Sequence, residues 1–385
     1  MANYFSSEFT LGILGGGQLG KMLLYETRKY DIKTHVLDPS EEAPCKIACD
    51  RFQQGSLMDY DTVYNFGKQV DLLTFEIEGV NLNALEALEK EGVPVYPSPA
   101  TLRNIQDKRV QKAFYQKHTI PTARFDNYDT KEELVAGVNE GRWIYPFVWK
   151  SGTGGYDGKG VQVVRNSADL ENLPDVPCLA EAMIPFKNEL AVIVARNPSG
   201  DAVTYPVVEM EFHPEANQVE YVICPARITD TVAKQAREVA LKASEAFDHV
   251  GLLAVELFQT EDDQILVNEV APRPHNSGHY SIEASFTNQF EQHLRAILDL
   301  PLGRTDSKVG GIMVNLVGAE GHTGPVLYQN IESIMAMEGV TPHIYGKAQT
   351  RPFRKMGHVT IVDEDLAKAR TTAEKVKNTI AVISK

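Results

Sequence analysis

The sequence predicts a protein of mixed α/β and α+β class that begins with a Rossmann-like parallel sheet. Two observations support this prediction. Up to about residue 100, short apolar strand segments alternate with amphipathic helical segments, which is the order of βαβ units. Beyond that point, strand-like segments dominate as far as about residue 224. With 385 residues, the chain is long enough for two or three packed units.

The N-terminal unit is predicted from the order of its elements. From Phe9 an apolar strand leads into a glycine turn, and an amphipathic helix then extends to about Tyr30. A second strand ends at Asp38, a third begins at Asp71 and a fourth begins at Val93. Because these strands alternate with helical segments, we expect them to lie parallel in one sheet.

The rest of the chain gives a less regular pattern. A helix begins near Pro99 and carries Lys108, and strand-like segments follow it. Another helix covers about residues 231–247, before the strands LLAVELF and QILVNEV, which are separated by a polar turn. After Pro301, short strands and turns lead to a C-terminal helix from about Glu364.

Composition and charge argue against several classes of protein. The net charge of −14 argues against a nucleic-acid partner, which would need a basic surface. No apolar run approaches the ~20 residues that cross a bilayer, and MANYFSSEFT does not resemble a secretion signal. We therefore expect a cytoplasmic enzyme without a membrane partner. Since no second close pair completes a zinc site, we expect free thiols at Cys45, Cys49, Cys178 and Cys224.

The first candidate motif is GGGQLG at residues 15–20, which fits G-x-G-x-x-G between a strand and a helix. Glycines let the backbone approach a phosphate, and a helix N-terminus favours negative charge. Asp38 closes the next strand, close to where a ribose-binding acid lies in dinucleotide folds. One interpretation is therefore an NAD-dependent oxidoreductase. The other is a tight turn that packs the first helix on the sheet.

The second motif is KSGTGGYDGKG at residues 150–160. Its five glycines lie between PFVWK and VQVV, which predicts a loop that joins two strands. It is not a P-loop, because no helix follows and the G-K-[ST] ending is missing. Its open amides and Lys159 could surround triphosphate oxygens, and a mobile lid would exclude water. The alternative is an exposed hairpin, but Tyr156 and Asp157 at its centre favour a functional loop.

The third motif is a pair of acids in neighbouring strands. If the two strands form a hairpin, Glu256 lies nearly opposite Asn268 and Glu269. Two carboxylates in apolar strands repel each other and are costly to bury, and a divalent cation removes that cost. Carboxylate and amide oxygens with nucleotide phosphates suit Mg²⁺. The alternative is a pair of solvated glutamates on the outer face of the strands.

The fourth motif is APRPHNSGH at residues 271–279, directly after Glu269. Arg273 suits bidentate recognition of an anion, and His275, Asn276 and Ser277 add polar contacts. A polar turn shaped by its prolines is the alternative. The position beside the acidic pair favours a functional role.

Three weaker candidates stay open. Glu76 and Glu78 are two residues apart at a strand end, so their side chains face the same side of the sheet. They are either a surface pair or contacts to the amine and the ribose of a substrate. Glu181 and Glu189 flank AMIPFKN and either hold a ribose hydroxyl or are solvated. A basic cluster near the end of the chain is either a solvated face or a phosphate clamp; it consists of Arg351, Arg354 and Lys355.

Together these runs resemble the ATP-grasp superfamily and, more narrowly, the N5-carboxyaminoimidazole ribonucleotide synthetase family of purine biosynthesis. The matching runs, in the family's order, are ILGGGQLGKML, NIQDK, VWKSGTGGYDGKGVQVV, AVELF, NEVAPRPHNSGH and RKMGHVT. The resemblance implies a Rossmann-like domain at residues 1–103, an ATP-grasp domain with a mobile lid at 104–300 and a small C-terminal domain at 301–385. It also implies a homodimer.

The resemblance assigns a nucleotide site by position. Lys108 and Lys150 match phosphate-binding lysines, and Glu256 and Glu269 match magnesium ligands, with Asn268 beside them. The cofactors it implies are ATP and Mg²⁺, with two ions expected. The implied ATP contacts are Lys108, Lys150, Gly154, Gly155, Tyr156, Asp157, Gly158, Lys159, Gly160, Glu181, Ala182, Met183, Ile184, Glu189, His213, Asn268 and Glu269.

The resemblance also assigns the second substrate, aminoimidazole ribonucleotide. In this superfamily the N-terminal glycine turn binds that substrate, so the resemblance disfavours the NAD interpretation. The implied substrate contacts are Gln18, Leu19, Glu76, Glu78, Arg273, His275, Asn276, Ser277, Lys347, Arg354 and Lys355. The implied catalytic residues are Tyr156, Asp157, Arg273 and His275, with Asp157 as the first candidate to accept the amine proton and His275 as the second.

The implied reaction is ATP-dependent carboxylation, with bicarbonate as the co-substrate and carboxyphosphate as the intermediate. Other ATP-grasp reactions stay open, namely those of biotin carboxylase and of a formate-dependent glycinamide ribonucleotide transformylase. An NAD-dependent oxidoreductase is a distant alternative, because it leaves the lid and the acidic pair unexplained. A transient contact with a downstream mutase is a further expectation.

Overall fold

The computed structural model describes residues 4–154, 160–213 and 218–385. The strands of this part of the chain are β1 Thr10–Leu14, β2 Lys33–Asp38, β3 Arg51–Gln54, β4 Leu72–Phe75, β5 Phe125–Tyr128, β6 Phe147–Ser151, β7 Val161–Val164, β8 Cys178–Ala182, β9 Phe186–Arg196, β10 Ala202–Thr204, β11 Val208–Phe212, β12 Val219–Cys224, β13 Gly251–Thr260, β14 Ile265–Ala271, β15 Gly310–Val317, β16 Gly324–Gln329, β17 Val340–Ile344, β18 Gln349–Thr350, β19 Lys355–Asp363 and β20 Ala381–Ser384.

The α-helices of the same residues are α1 Gln18–Lys29, α2 Tyr60–Gly67, α3 Leu82–Lys90, α4 Pro99–Arg103, α5 Lys108–Lys117, α6 Lys131–Asn139, α7 Ser167–Glu171, α8 Asp230–Phe247, α9 Ser281–Ala284, α10 Gln289–Ile297, α11 Ile331–Met335 and α12 Leu366–Thr379. Short 3-10 helices cover Pro44–Ile47 and Asn276–Gly278.

The N-terminal strands form the predicted parallel sheet, in the order β3-β2-β1-β4. Strand β1 lies inside the sheet, because it pairs in parallel with β2 and with β4. Leu11, Ile13 and Leu14 have no exposed surface. Because β1 and β4 are parallel neighbours, the glycine turn after β1 and the acidic residues after β4 meet at one edge of the sheet.

Two details of this region differ from the sequence-based expectation. The predicted fourth strand is reduced to an isolated bridge between Leu73 and Val95, because Pro94 and Pro97 have no N–H to donate. The predicted single helix from Pro99 is two helices, α4 and α5. Asp107 begins α5 as its N-cap, with its carboxylate accepting a hydrogen bond from the Arg109 N–H.

The central region contains a sheet of nine antiparallel strands in the order β14-β13-β9-β11-β12-β15-β19-β17, with β10 on the edge of β9. Val255 and Leu257 of β13 belong to the apolar cluster that α8 covers. Glu256, between them, therefore points to the opposite face of the sheet. A separate sheet of four strands, in the order β5-β8-β6-β7, is formed by the residues that precede β9 in the sequence. It carries Lys150 and Glu181.

The C-terminal strands continue the central sheet. Strand β15 pairs with β12 through Tyr221 and Val314, and β19 pairs with β15. Helix α12 packs on these strands, where Val359 and Val376 are fully buried. The hydrogen-bonded sheet therefore runs without interruption from the central region into the C-terminal region. No helix of the described residues is sufficiently long and apolar to span a bilayer.

Two buried histidines are expected to make the fold sensitive to acid. His293 of α10 lies 3.0 Å from Thr74 Oγ1, and His249 lies 3.2 Å from Ser244 Oγ. Burial lowers the pKa of His249 to about 4 and that of His293 to about 3, so both rings are neutral in the folded protein. In the unfolded chain a histidine has a pKa of about 6.5 and binds a proton first, so the free energy of unfolding decreases as the pH falls from about 6.5 towards 4.

The measurement is the melting temperature at about pH 7 and at about pH 5. In a His293→Gln variant, which removes one of the two rings, we expect a smaller decrease between these two pH values than in the wild type. A His118→Gln variant at a half-buried surface position is the control and should keep the full decrease. An equal decrease in all three proteins would show that the buried rings do not govern acid sensitivity.

Candidate active site

The acidic pair forms as the sequence predicts. Glu256 and Glu269 are direct neighbours across β13 and β14, and a β-bulge follows Glu256. Glu189 of β9 faces the same side, because it pairs with Phe258, two residues beyond Glu256. Burial, and then the charge of Glu269, raise the pKa of Glu256 to about 8. Burial likewise raises the pKa of Glu189 to about 7. Three acidic side chains therefore share one face of the sheet.

Lysines partly neutralise this face. Lys108, at the start of α5, forms an ion pair with Glu269, and its charge lowers the pKa of Glu269 to about 2. Lys150 Nζ donates to Asn268 Oδ1 at 2.9 Å and lies 2.8 Å from Glu181 Oε2. The two lysines that the resemblance assigns to nucleotide phosphates thus lie beside Glu269 and Asn268, two of the three residues that it assigns to the metal. This arrangement of charges suits a polyphosphate with a divalent cation.

Lys112 is a member of this network that the sequence interpretation missed. Its Nζ donates to Glu181 Oε1 at 2.9 Å and to Thr122 Oγ1 at 2.6 Å, and the residue is 2% exposed. Burial lowers the pKa of Lys112 to about 8. Burial would raise the pKa of Glu181, but Lys150 and Lys112 together lower it. Helical spacing could have identified Lys112 as a member of the site, because it lies one turn after Lys108 on the same face of α5.

The donor atoms fit Mg²⁺. Glu256 and Glu269 offer carboxylate oxygens, Asn268 offers an amide oxygen, and the repulsion between the two half-buried carboxylates favours a cation between them. Within the described residues no three His, Cys, Asp or Glu side chains converge as a metal-binding group.

The motif after β14 continues into the same site. His275 Nε2 lies 3.3 Å from Glu256 Oε1, and its Nδ1 lies 2.9 Å from Ser277 Oγ. Arg273 Nε lies 2.8 Å from Glu78 Oε1, so Glu78 and Arg273 connect the N-terminal sheet to this motif. Of the residues that the resemblance assigns to catalysis, His275 is therefore adjacent to the acidic pair, and Arg273 pairs with Glu78.

The glycine turn is held by the protein's own carboxylates. Gly17 N donates to Glu76 Oε1 at 2.5 Å, and Gly20 N donates to Glu76 Oε2 at 2.9 Å. Gly16 N donates to Asp38 Oδ2 at 2.7 Å. These amides would have to bind a dinucleotide phosphate, so their use inside the protein argues against the NAD interpretation. Glu76, which the sequence assigns to the substrate, here stabilises the turn.

The residues within the turn have different surroundings. Leu19 is 7% exposed and packs in the N-terminal core, so a substrate contact at this position would come from its backbone. Gln18 begins α1 and is half-buried. Lys21 Nζ donates to the Ile344 carbonyl at 3.0 Å, which joins α1 to the end of β17. The turn therefore faces the C-terminal region.

The cationic side chains assigned to the substrate in the C-terminal region are Lys347, Arg354 and Lys355. Lys347 Nζ donates to the Lys355 carbonyl at 2.7 Å, and Arg354 Nη1 donates to the Gln349 carbonyl at 2.6 Å. Lys355 begins β19, and its positive charge, after that of Lys108, offsets part of the rise in the pKa of Glu256. The structure thus brings Lys355 close to the acidic pair.

The remaining assigned residues are less tightly grouped. Ala182 ends β8, and Met183 just beyond it is 51% exposed, with Ile184 following. His213 lies at the end of the β11 hairpin, 6.3 Å from Phe353 between ring centroids, beside a cavity of about 240 Å³. Gly154 and Gly160 flank the predicted lid and have left-handed backbones. The lid residues Gly155, Tyr156, Asp157, Gly158 and Lys159 lie outside the described residues.

Three family profiles match the chain in sequence order. One described as a ribonucleotide synthetase preATP-grasp domain matches residues 9–106, and one described as an ATP-grasp domain matches residues 113–290. The third, described as a phosphoribosylaminoimidazole carboxylase C-terminal domain, matches residues 311–372.

Curated relatives match along most of the chain. The N5-carboxyaminoimidazole ribonucleotide synthase of Synechococcus elongatus is 39% identical, and the alignment covers 91% of this chain and 89% of the relative. The phosphoribosylaminoimidazole carboxylase of Candida albicans is also 39% identical, with 94% of this chain and 65% of the relative covered. The chain thus spans about two thirds of the length of that fungal relative.

Solved structures match over nearly the whole chain. The N5-carboxyaminoimidazole ribonucleotide synthetase from Thermotoga maritima has a TM-score of 0.90 at 41% identity, covering 98% of this chain and 100% of that one. The synthase from Aspergillus clavatus, in complex with ADP and 5-aminoimidazole ribonucleotide, has a TM-score of 0.87 at 36% identity, covering 97% and 98%. The fold and the order of its three regions are therefore shared with these proteins.

Proposed function

The chain belongs to the N5-carboxyaminoimidazole ribonucleotide synthase family, and we propose that it uses ATP and bicarbonate to carboxylate 5-aminoimidazole ribonucleotide. The product is N5-carboxyaminoimidazole ribonucleotide, an intermediate of de novo purine biosynthesis. The single observation that carries this proposal is the site in which the acidic pair Glu256 and Glu269 adjoins Lys108 and Lys150 on one side and His275 on the other. It offers a place for nucleotide phosphates directly beside a place for an acceptor.

The reaction proceeds in two stages. A bicarbonate oxygen attacks the γ-phosphorus of ATP, the bond to the β-phosphate oxygen breaks, and ADP and carboxyphosphate form. Carboxyphosphate then releases phosphate and carbon dioxide inside the closed site, and the exocyclic amine of the ribonucleotide attacks the carbon dioxide. Loss of one amine proton leaves the carbamate. Positioning of the reactants and electrostatic stabilisation lower most of the reaction barrier. The transferring phosphoryl group carries negative charge, and Lys108 and Lys150 offset it.

Glu256, Glu269 and Asn268 are the residues that would hold Mg²⁺. The two expected ions would neutralise charge on the nucleotide phosphates there. Lys108 forms an ion pair with Glu269, and Lys150 donates a hydrogen bond to Asn268. We propose that nucleotide binding transfers both lysines from these side chains to phosphate oxygens.

Asp157 is the proposed acceptor of the amine proton, and His275 is the second candidate. Asp157→Asn should lower the rate of carboxylation by about 100-fold, because general base catalysis typically contributes that much or more. The KM for ATP should stay within about twofold, since asparagine keeps the size and polarity of the side chain. Single-turnover carboxylation and nucleotide titration measure the two effects. An equal loss of ATP binding would refute the role in proton transfer.

The proposed reaction is tested by the release of ADP from MgATP and bicarbonate, with and without aminoimidazole ribonucleotide. Strong stimulation by the ribonucleotide is the expected result. Release of ADP that does not depend on the ribonucleotide would leave an ATP-grasp enzyme with another acceptor. Biotin, and glycinamide ribonucleotide with formate, are the acceptors to test next.

Four further features are part of the proposal. We propose that the enzyme acts in the cytoplasm as a homodimer and that it contacts the downstream mutase transiently. We also propose domain boundaries near residues 103 and 300. Family membership supports the first three, and the extents of the matched profiles support the boundaries. Sedimentation of the purified protein tests the dimer.

A further inference from the structure

Asn276, which the proposed function assigns to the ribonucleotide, is engaged by a second asparagine. Asn276 Nδ2 donates to Asn315 Oδ1 at 2.9 Å, and Asn315 Nδ2 donates to Asn276 Oδ1 at 3.0 Å. Asn315 lies on β15, 39 residues later in the chain, and is 8% exposed. The two amides therefore form a closed pair between the motif after β14 and the C-terminal part of the large sheet.

A third group fixes the direction of this pair. Asn315 Nδ2 also donates to the Val219 carbonyl at 2.8 Å. A carbonyl can only accept, so the NH₂ end of the Asn315 amide must face Val219. Both N–H groups of Asn315 are then used, and its oxygen must face Nδ2 of Asn276. The orientation of the Asn276 amide is thus set by a backbone carbonyl that it does not contact.

The fixed orientation determines which hydrogen-bonding groups of Asn276 remain available to a ligand. Its amide retains one N–H and one lone pair of its oxygen for a ligand. His275 precedes it, and Ser277, which follows, contacts the ring of His275. Rotating the Asn276 amide by half a turn would exchange donor and acceptor at the ligand. Since a buried unmatched polar contact is costly, such an exchange would weaken ligand binding.

We propose that Asn315 is a positioning residue, which orients the amide of Asn276 towards the ribonucleotide without contacting the ribonucleotide itself. This inference rests on the proposed function. It also gives the C-terminal region a role in the site through β15, besides the cations that follow it. A buried amide pair that serves only stability is the competing explanation.

A double-mutant cycle separates the two explanations. Asn315→Ala, Asn276→Ala and the double variant are compared with the wild type in the ADP-release assay, with the KM for the ribonucleotide, the KM for ATP and the melting temperature as readouts. We expect Asn315→Ala to raise the KM for the ribonucleotide by about tenfold and to change the KM for ATP by less than about twofold. In the Asn276→Ala background, removal of Asn315 should add almost no further loss.

A purely structural pair would behave differently. If Asn315→Ala lowers the melting temperature but leaves the KM for the ribonucleotide unchanged, or if the two losses simply add, the inference is overturned. If Asn315→Ala does not fold, Asn315→Ser replaces it, because its hydroxyl keeps a polar group at the buried position. Asn315→Asp should raise the same KM further, since its oxygen would face two acceptors. If the ribonucleotide does not stimulate ADP release by the wild-type protein, the proposed function is overturned, and this inference is overturned with it.

Discussion

Replacing Glu269 by glutamine is expected to lower kcat by about 1,000-fold, the largest effect that we expect at the site. Glutamine keeps the size of the side chain but removes the charge that faces Glu256 and pairs with Lys108. The lost charge weakens the hold on Mg²⁺, so the Mg²⁺ concentration for half-maximal activity should rise as well. Steady-state rates at saturating ATP, bicarbonate and ribonucleotide, repeated over a Mg²⁺ series, measure both effects.

Glu261→Gln provides the matched control, because Glu261 is exposed in the turn that joins the same two strands. Its activity should equal that of the wild type. A Glu269→Gln variant with activity within about threefold of the wild type, and with the same dependence on Mg²⁺, would show that the acidic pair does not bind the metal.

The second large effect is expected for Lys150→Met, which should lower kcat/KM for ATP by about 100-fold. Lys150 lies between Glu181 and Asn268, where its charge can pass to a phosphate oxygen when nucleotide binds. Methionine keeps most of the length of the side chain and removes the charge. Glu181 stays paired with Lys112, so we expect the fold to persist. Initial rates over an ATP series, with calorimetric titration of the nucleotide, are the measurements.

The matched control is Lys187→Met. Lys187 forms an exposed ion pair with Asp263 at 3.0 Å, and such pairs contribute little to stability or function. Unchanged kinetics are expected for this variant. If Lys150→Met retained the affinity of the wild type for ATP together with its rate, Lys150 would serve only to balance the charge of Glu181.

The acidic pair was predictable because strands have a strict period of two. Alternating apolar residues, interrupted by the polar turn TEDDQ, were sufficient to place Glu256 nearly opposite Asn268 and Glu269, and the structure pairs it with Glu269. The parallel sheet at the N-terminus was predictable for a similar reason, since helices and strands alternate in short units. Local patterns therefore specified those parts of the fold and site that depend on neighbours in sequence.

Contacts between distant segments were not predictable in this way. Lys112 and Glu181 are 69 residues apart, and neither lies in a pattern that points to the other. The pairing of β12 with β15 joins the central and C-terminal regions, and local periodicity does not encode which strands become neighbours. The use of Glu76 by the glycine turn also depends on the sheet, because β1 and β4 meet only after folding.

The central claim is that the carbon of bicarbonate becomes bonded to the amine of the ribonucleotide at the expense of ATP. The most direct measurement uses ¹³C-labelled bicarbonate and aminoimidazole ribonucleotide with ¹⁵N in the exocyclic amine, followed by NMR during turnover. We predict a carbamate carbon that is coupled to the labelled nitrogen and that accumulates in step with ADP. Formation of ADP without any ¹³C–¹⁵N coupling would contradict the claim.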